Sequence, residues 1–339
     1  MLPEYALWDV YTAGMQGVMP ESLVRAADTP VMLRLGHVGM NCGCEYTAFP
    51  RFRNGRQYSR LIHSIGVGMI VWKHTGDETQ AMAGLLHDIA TPVFAHVIDF
   101  LRGDYLTQEA TEDGTEELIE HSDELQAILR DSDIRTEKVS NYHLYPIADN
   151  DAPGLCADRL EYTLGNLCFY GFASVPEIRD IYMDIHAGVT ADGRKELMFT
   201  HRKTAETFGM LALKCSKVYV SDEDRYAMQL LSEIVGKALK AGVIQESDLH
   251  GTEEHVISAL EESVVTADAW QWFRNLCRME SGELPGTGEG WRSVRAKKRY
   301  IDPYIDGTGR LTSVSRAFQE ALDAFRTSDQ TGWLRGLTR

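Results

Sequence analysis

Residues of the types that bind metal ions stand on three separate apolar segments of the chain. His63 lies in the first segment, the adjacent pair His87 and Asp88 ends the second, and Asp158 lies in the third. Imidazole nitrogens and carboxylate oxygens together suit a divalent ion such as Mn²⁺, Fe²⁺, Zn²⁺, Ni²⁺ or Mg²⁺, with coordination positions left open for water and another ligand. A His-Asp pair alone is more often an ordinary helix end, so the interpretation depends on all four residues meeting. The chemistry that such an ion supplies is Lewis-acid activation and the generation of hydroxide from bound water.

Each of these residues falls on a predicted helix. The 3.6-residue spacing of apolar side chains predicts helices over residues 58–73, 77–89 and 153–170, with Asp77 as the N-cap of the second helix. The adjacent His-Asp pair then lies in a last helical turn, where exposed carbonyl groups also favour a cation. Because neighbours on a helix diverge by about 100°, both side chains reach one ion only if that ion lies beyond the helix end.

The predicted helix that carries Asp158 presents further polar side chains on the same face. Tyr162 and Asn166 follow Asp158 by one and two turns, so we expect the three to point the same way. The alternative is that Tyr162 packs in the core and Asn166 ends a turn before Gly171.

Two more helices are predicted between the second and third ligand segments. Residues 92–101 place His96 and Asp99 on one face, and residues 115–130 carry His121 near the middle. A single helical histidine is most often a core or surface residue, so spacing alone gives His121 no role.

The second half of the chain also has helical periodicity. A 3.6-residue apolar spacing with few strand-like alternations extends over residues 177–186, 196–216, 222–241 and 253–262. The glycine-rich stretch 281–290 lacks a preceding strand and a Gly-Lys-Ser/Thr sequence, so we predict a loop and no phosphate-binding P-loop. We therefore predict an all-α fold with three parts: an N-terminal segment over residues 1–50, the ligand-bearing core over 51–175 and a helical C-terminal region over 176–339.

Composition limits the class of protein. The formal net charge of −16 disfavours general binding to nucleic acid or to an acidic membrane, because phosphate contacts need clustered Lys and Arg. Six cysteines without a CxxC pair argue against a zinc ribbon or a disulfide scaffold, and no stretch approaches the roughly 18 apolar residues of a membrane span. We therefore expect a soluble, cytoplasmic protein. One basic run is either a solvated face or a phosphate or effector contact: Arg292, Arg295, Lys297, Lys298 and Arg299.

The order of the four candidate ligands resembles a known signature. His63, His87-Asp88 and Asp158, on successive predicted helices, resemble the H…HD…D pattern of the HD-domain metal-dependent phosphohydrolases. The flanking residues are most similar to the branch that hydrolyses deoxynucleoside triphosphates, with its D-T-P-x-x-x-R-L, R-x-x-H-S-x-G-V and H-D-[IL]-x-x-x-x-F-x-H-x-x-[DE] patterns. The matching residues are Asp28, Thr29, Pro30, Arg34, Leu35, Arg60, His63, Ser64, Gly66, Val67, His87, Asp88, Phe94, His96, Asp99 and the later run 298–303.

The resemblance implies a fold, a metal site and a set of roles. The fold is an HD-domain helical bundle with a helical C-terminal extension, and the four ligands hold a divalent ion. In the implied mechanism His121, oriented by Asp99 and aided by His96, donates a proton to the leaving oxygen, while Arg60 and Arg159 neutralise phosphate charge. Tyr162 and Asn166 border the sugar. The expected reaction is hydrolysis of a nucleotide phosphoester, with dNTP to deoxynucleoside and triphosphate as one form.

Departures from the branch keep the substrate open. Thr91 stands where the branch has an extra histidine, Met40 where it has a glutamine that contacts the sugar, and Asn166 where it has a sugar-binding aspartate. We therefore expect broad, modest activity rather than sharp dNTP specificity. The alternatives are a phosphatase or phosphodiesterase for another small phosphoester, and a nucleotide-binding regulator without turnover. We expect a small-molecule nucleotide or phosphoester as the binding partner, and a homo-oligomer. We expect no general binding to nucleic acid and no binding to a membrane.

Overall fold

Helices dominate the computed structural model, which describes residues 4–15, 17–53, 58–103, 114–330 and 332–338. In chain order the helices are α1 (Trp8–Thr12), α2 (Glu21–Ala27), α3 (Pro30–Leu33), α4 (Arg60–Thr75), α5 (Glu78–Leu86), α6 (Val97–Arg102), α7 (Thr115–Glu120), α8 (Asp123–Asp131), α9 (Ala157–Phe169), α10 (Val175–Met183), α11 (Arg202–Val218), α12 (Asp222–Lys240), α13 (Glu253–Glu262), α14 (Ala267–Arg274), α15 (Leu311–Val314) and α16 (Arg316–Thr327).

Short strands form two small sheets in the second half of the chain. The strands are β1 (Ile185–Val189), β2 (Lys195–Phe199), β3 (Arg278–Gly282), β4 (Arg292–Ser293), β5 (Tyr304–Ile305), β6 (Gly309–Arg310) and β7 (Trp333–Leu337). β1 and β2 form an antiparallel hairpin, β5 joins β2 in parallel through Phe199 and Ile305, and β6 pairs with β5. In the second sheet β7 lies between β3 and β4 and is antiparallel to both.

The helices α4 and α5 form a hairpin that positions three of the four candidate ligands. His63 lies within α4, and His87 and Asp88 directly follow α5. The Ser59 hydroxyl caps α4 by accepting from the Ile62 amide, and the helix ends at Gly76, whose φ of 61° is left-handed. Asp77 then caps α5 by accepting from the Gln80 amide. The sequence predicted both helices and this N-cap, because capping and apolar spacing are local properties.

Helix α5 ends about one turn earlier than predicted. The helix ends at Leu86 with His87 as its C-cap, so the ligand pair lies in the turn that follows. The Arg34 guanidinium donates to the carbonyl oxygens of Ile89 at 2.8 Å and Thr91 at 2.9 Å. Since carbonyl groups beyond a helix end have no partner within the helix, this arginine fixes the exit path of the chain.

Two clusters of buried apolar side chains hold the elements together. The first joins α4, α5, α9 and α11 with α1, α2, α8 and α16, and the second joins α12, α13 and α14 with α6 and the segment before it. Leu86 and Ile89 belong to the first cluster and Val93 to the second. The His-Asp pair therefore lies where the two clusters meet. The domain boundaries at residues 50 and 175 stay predictions.

The prediction of one continuous helix over residues 115–130 is wrong, because the structure has two helices there. α7 ends at Glu120, and α8 begins anew after Ser122, whose hydroxyl accepts from the Leu125 amide. The acidic residues that follow Ser122 complete an ordinary helix start, and this local signal outweighs the apolar periodicity that runs across it. His121 consequently lies at a junction between helices.

The fold is mostly helical, as predicted, but the strands of the second half were not expected. β1 and β2 replace the end of the predicted helix 177–186 and the start of the predicted helix 196–216. β1 and β2 pair with each other in a short hairpin, and β2 pairs with residue 305, far away in sequence. Strand preference depends strongly on such partners, and a five-residue segment is too short to show a clear alternation.

The predicted helix over residues 92–101 begins later than expected. α6 starts at Val97, and Phe94 and Ala95 before it adopt left-handed φ angles of 58° and 45°. The Phe94 amide donates to the Glu253 carboxylate at 3.1 Å, so a tertiary contact holds the turn. Non-glycine residues rarely adopt such angles without support of this kind.

None of the helices in the described ranges combines the length and the hydropathy that crossing a bilayer demands.

Two carboxyl groups, of Glu45 and Glu253, are buried together beside the second apolar cluster. Glu253 accepts hydrogen bonds from the amides of Gly39 and Phe94 and from the Tyr46 hydroxyl at 2.7 Å. One oxygen of Glu45 has no hydrogen-bond partner in the described chain. Burial, and then the neighbouring carboxyl group, raise the pKa of Glu45 above its ordinary value of 4.5. The pair therefore retains a proton at pH values where an exposed carboxyl group has lost it.

Glu45→Gln should remove part of the loss of stability with rising pH. Above pH 4.5 the unfolded chain releases the Glu45 proton and the folded chain keeps it, so stability falls by roughly 1.4 kcal/mol for each unit by which the pKa is raised. Urea unfolding at pH 5 and pH 8 measures this difference. Between these two pH values the free energy of unfolding should fall less for the variant than for the native protein. Glu262→Gln, an exposed substitution, is the matched control. Equal pH dependence of stability in Glu45→Gln and the native protein would contradict the raised pKa of Glu45.

Candidate metal centre and active-site cavity

Three helical segments bring the four predicted ligands together. His63 Nε2 from α4 lies 3.2 Å from His87 Nε2 and 3.1 Å from Asp158 Oδ1 of α9. Asp88 Oδ2 lies 3.8 Å from His63 Nε2 and 3.7 Å from His87 Nε2. Both imidazoles and the Asp88 side chain are buried, and their ligand atoms all lie within 4.8 Å of one another. This buried group can hold a metal ion.

The hydrogen bonds of the two imidazoles fix which nitrogen faces the centre. His63 Nδ1 lies 2.6 Å from a Glu161 oxygen, and His87 Nδ1 lies 2.7 Å from the Gly84 carbonyl oxygen. Both Nδ1 atoms therefore act as donors, and in the neutral rings both Nε2 atoms present lone pairs to each other. Such an arrangement is repulsive unless a proton or a metal cation lies between the two nitrogens. Two imidazole nitrogens and two carboxylates suit a divalent transition ion.

The charges around the ligands favour a cation as well. Burial alone raises the pKa of Asp88, but the Arg60 guanidinium at 2.8 Å and the two histidines hold it well below its usual range. For His63 burial lowers the pKa, and hydrogen bonds to Asp158 and Glu161 outweigh it and raise the pKa to about 10. Asp158, held mainly by His63 against the effect of burial, has its pKa lowered to about 2. Both carboxylates are thus ionised at neutral pH.

A fully buried carboxylate, Glu161, supports His63 from behind. It accepts from His63 Nδ1 and from three tyrosine hydroxyls: Tyr58 at 2.5 Å, Tyr11 at 2.9 Å and Tyr5 at 3.3 Å. Four donors to one buried carboxylate stabilise its charge and fix the orientation of the imidazole ring. Sequence analysis did not identify Glu161, although its position three residues after Asp158 places it close to the same helix face.

A cavity of about 730 Å³ opens onto the ligands. Residues from both halves of the chain line it. The predicted site residues that line it are Arg60, His63, His87, Asp88, His96, Asp158, Arg159, Tyr162 and Asn166. Lining residues that the prediction did not assign include Asn41, Tyr142, His143 and Asp149, and Lys297 and Arg299 of the predicted basic run line the cavity too.

The pair His96 and Asp99 is placed as the sequence predicted. His96 Nδ1 lies 2.8 Å from Asp99 Oδ2, and Asp99 is fully buried. Burial, with the Arg299 and Arg60 charges, lowers the pKa of His96 despite the carboxylate partner. His96 is therefore a neutral imidazole at pH 7, with its orientation fixed by Asp99.

Arg159 turns away from the ligands to which it is adjacent in sequence. Its guanidinium donates to Asp149 Oδ1 at 3.1 Å, to the Gly154 carbonyl oxygen at 2.7 Å and to the backbone and side-chain oxygens of Asn150. These hydrogen bonds hold the loop before α9. In this arrangement the guanidinium N–H groups of Arg159 donate to the loop. Neutralisation of phosphate charge by Arg159 stays a prediction.

His121, predicted as the proton donor, does not line the cavity. It is exposed after α7, and its Nδ1 lies 2.7 Å from the Glu117 carbonyl oxygen. The break between α7 and α8 places this side chain on the surface. The structure therefore does not bring His121 together with Asp99 and His96.

The basic run near residue 295 divides between structural and cavity positions. Arg292 binds Glu233, at 2.6 Å, and the Tyr226 hydroxyl, whereas the Lys298 ammonium donates to the carbonyl oxygens of Arg326 and Ser328. Lys297 and Arg299 line the cavity instead. A phosphate contact therefore stays a prediction for these two residues.

Comparisons with curated proteins find relatives for part of the chain. No protein-family model matches it. The chain is 29% identical over 208 residues to the uncharacterised protein YdhJ of Bacillus subtilis, an alignment covering 60% of this chain and 62% of that protein. It is 25% identical over 204 residues to the metal-dependent phosphohydrolase cns2 of Cordyceps militaris, covering 56% and 55%. The chain thus matches less than two thirds of the length of either relative.

Solved structures share the fold over nearly the whole chain. A phosphohydrolase from Bacteroides thetaiotaomicron superposes with a TM-score of 0.63 at 16% identity, covering 95% of this chain and 97% of that one. A hypothetical protein from Aquifex aeolicus superposes with a TM-score of 0.63 at 18% identity, covering 94% and 92%. The chain thus shares its mostly helical fold with a solved phosphohydrolase, and a partial relative carries the name metal-dependent phosphohydrolase.

Proposed function

We propose that this chain is a metal-dependent phosphohydrolase that acts on nucleotides or closely similar phosphoesters. The convergence of His63, His87, Asp88 and Asp158 at one cavity carries the proposal. The name of the Cordyceps militaris relative supports the reaction class. Hydrolysis of dNTPs to deoxynucleoside and triphosphate is one form of this function.

Basic residues of the cavity can bind an anionic group such as a phosphate. His63, His87, Asp88 and Asp158 would hold a divalent ion, which would supply a Lewis acid for phosphate and lower the pKa of a bound water. Arg60 lies against Asp88 and keeps its Nε without a partner in the described chain, so part of its guanidinium can serve a phosphate oxygen. Lys297 and Arg299 add positive charge to the same cavity, whereas the protein as a whole is acidic.

Two buried amides support recognition of a neutral polar group beyond the phosphate. The Tyr170 hydroxyl donates to Asn41 Oδ1 at 2.8 Å, and Asn166 Nδ2 donates to the Tyr219 hydroxyl at 2.9 Å. Asn41 Nδ2 and Asn166 Oδ1 are buried without a partner in the described chain, and both residues line the cavity. Exchanging the N and O atoms of either amide still leaves one polar atom unpaired. Because such atoms cost about 1–3 kcal/mol when buried unpaired, a hydroxyl-bearing ligand is favoured here.

A substrate panel tests the function. We expect metal-dependent hydrolysis of several dNTPs and NTPs, with triphosphate or orthophosphate identified as the product by ion chromatography. Asn166→Ala should raise KM about tenfold for nucleotides, the effect of one hydrogen bond, and leave KM for an aryl phosphate unchanged. Asn275→Ala, at an exposed position, is the control.

Two results would count against this assignment. Absence of turnover for nucleotides and simple phosphoesters alike, in metal-loaded protein, would reject the phosphohydrolase proposal. High activity confined to dNTPs and insensitive to Asn166→Ala would reject the placement of the sugar beside Asn166.

A further inference from the structure

A second histidine–carboxylate pair lies at the cavity, outside the ligand set. His143 belongs to the 3₁₀ turn Tyr142–Leu144, lines the cavity and has 50% of its side chain exposed. Its Nδ1 lies 2.7 Å from Asp149 Oδ2. No signal in the sequence pointed to this pair, because its members come from irregular chain between α8 and α9.

The carboxylate of this pair is itself held firmly. Asp149 Oδ1 accepts from Arg159 at 3.1 Å and lies 3.4 Å from Cys156 Sγ, and Cys156 is the N-cap of α9. The hydrogen bonds that turn Arg159 away from the ligands thus position Asp149. The carboxylate is in this way connected to the helix that carries Asp158.

The turn that carries His143 is held in place as well. The His143 backbone amide donates to Asn141 Oδ1 at 3.1 Å, and the centroid of the neighbouring Tyr142 ring lies 5.0 Å from that of His87. The turn is thus fixed against the candidate ligand His87, and the Asp149 carboxylate holds the His143 ring. Fixed placement is what a group that transfers a proton needs.

The pairing with Asp149 determines the chemistry open to His143. The carboxylate accepts the Nδ1 proton, so Nε2 is the ring nitrogen that can exchange a proton with a ligand. A carboxylate at this distance also stabilises the imidazolium form. His96, the other cavity histidine outside the ligand set, is less suited to donate, since burial and two arginines favour its neutral form.

We propose that His143 donates the proton to the leaving oxygen during phosphoester hydrolysis, an assignment that rests on the proposed function. As the water oxygen bonds to phosphorus, the bond from phosphorus to the leaving oxygen breaks and its electron pair stays on that oxygen. The oxygen takes the Nε2 proton of His143 and departs as an alcohol or phosphate. The proton released by the water returns to the imidazole, so charge and atoms balance.

The experiment compares two leaving groups in His143→Gln. A nucleoside monophosphate releases a poor alkoxide leaving group that needs a proton, whereas p-nitrophenyl phosphate releases a stable anion. We expect kcat for the nucleotide to fall about 10²- to 10⁴-fold and kcat for the aryl ester to fall less than about tenfold. Metal content, measured by elemental analysis, should stay that of the native protein. His255→Gln, whose exposed imidazole pairs with Asp248, is the matched control.

Each other result has a definite meaning. Equal losses on both substrates would overturn proton donation in favour of a positioning role, and loss of metal would make His143 a ligand. Native rates on the nucleotide would also overturn the assignment. Failure of the native protein on these two substrates and on every dNTP and NTP of the panel rejects the proposed function itself, which separates that failure from an error about His143.

Discussion

His87→Ala should lose bound metal and nearly all turnover. The substitution removes the Nε2 atom that lies 3.2 Å from His63 Nε2 and 3.7 Å from Asp158 Oδ1, and leaves the three remaining ligands around a gap. A Lewis acid and water activator contributes several kcal/mol to the reaction, so kcat should fall at least about 10³-fold. Elemental analysis of the purified protein and kinetics with saturating Mn²⁺ measure the two losses separately.

The control for this substitution is His37→Ala, an exposed histidine that pairs with Glu254. Its metal content and kcat should match those of the native protein. Full metal retention together with native activity in His87→Ala would show that the four-residue centre is not the place of the reaction. Circular dichroism confirms that the variant is folded before either measurement is interpreted.

Glu161→Gln should weaken metal binding without removing any ligand. An amide keeps the shape of the side chain but replaces one acceptor oxygen with an NH₂ donor, which then faces hydroxyl or imidazole donors. The His63 ring loses its charge-assisted hydrogen bond and its fixed orientation. Loss of such a supporting group typically costs about 10- to 100-fold in metal affinity. Competition with a chelator for Co²⁺ measures this directly, and the cobalt spectrum reports the ligand geometry.

Tyr58→Phe is the matched control for Glu161→Gln. It removes one of the hydroxyl donors to the same carboxylate and leaves the contact with His63 in place. We expect about 1.5–3 kcal/mol of lost stability, the usual contribution of a hydrogen bond to a charged group, and less than about a tenfold change in Co²⁺ affinity. If Glu161→Gln bound Co²⁺ with native affinity and an unchanged spectrum, Glu161 would be a packing residue only.

Much of the candidate centre follows from local rules that the sequence obeys. The helices that carry His63 and Asp158 and the helix that ends just before the His-Asp pair were predicted from apolar spacing, and Asp77 from its capping position. These features depend on residues within one or two turns of each other. The spacing of Tyr162 and Asn166 after Asp158 likewise placed all three at one cavity, because a helix repeats its faces every three to four residues.

The roles of the surrounding residues were decided by contacts between distant segments. His121 and Arg159 are adjacent to plausible motifs in sequence, yet a helix break exposes the first and Asp149 holds the second. Conversely, His143 and Asn41 reach the cavity from segments with no periodic signal.

What the sequence by itself determined is the mostly helical class and the helices that bring His63, the His-Asp pair and Asp158 to one place, because helices depend on short-range periodicity and capping. The role of these four residues as metal ligands stays a prediction. What only the tertiary structure decided is which side chains face the cavity and which are occupied elsewhere. Glu161 shows the reason: its partners Tyr5, Tyr11 and Tyr58 lie more than 100 residues away in sequence. The pairing of a buried polar group depends on which donors the packed chain brings within about 3 Å, and no local pattern records that distance.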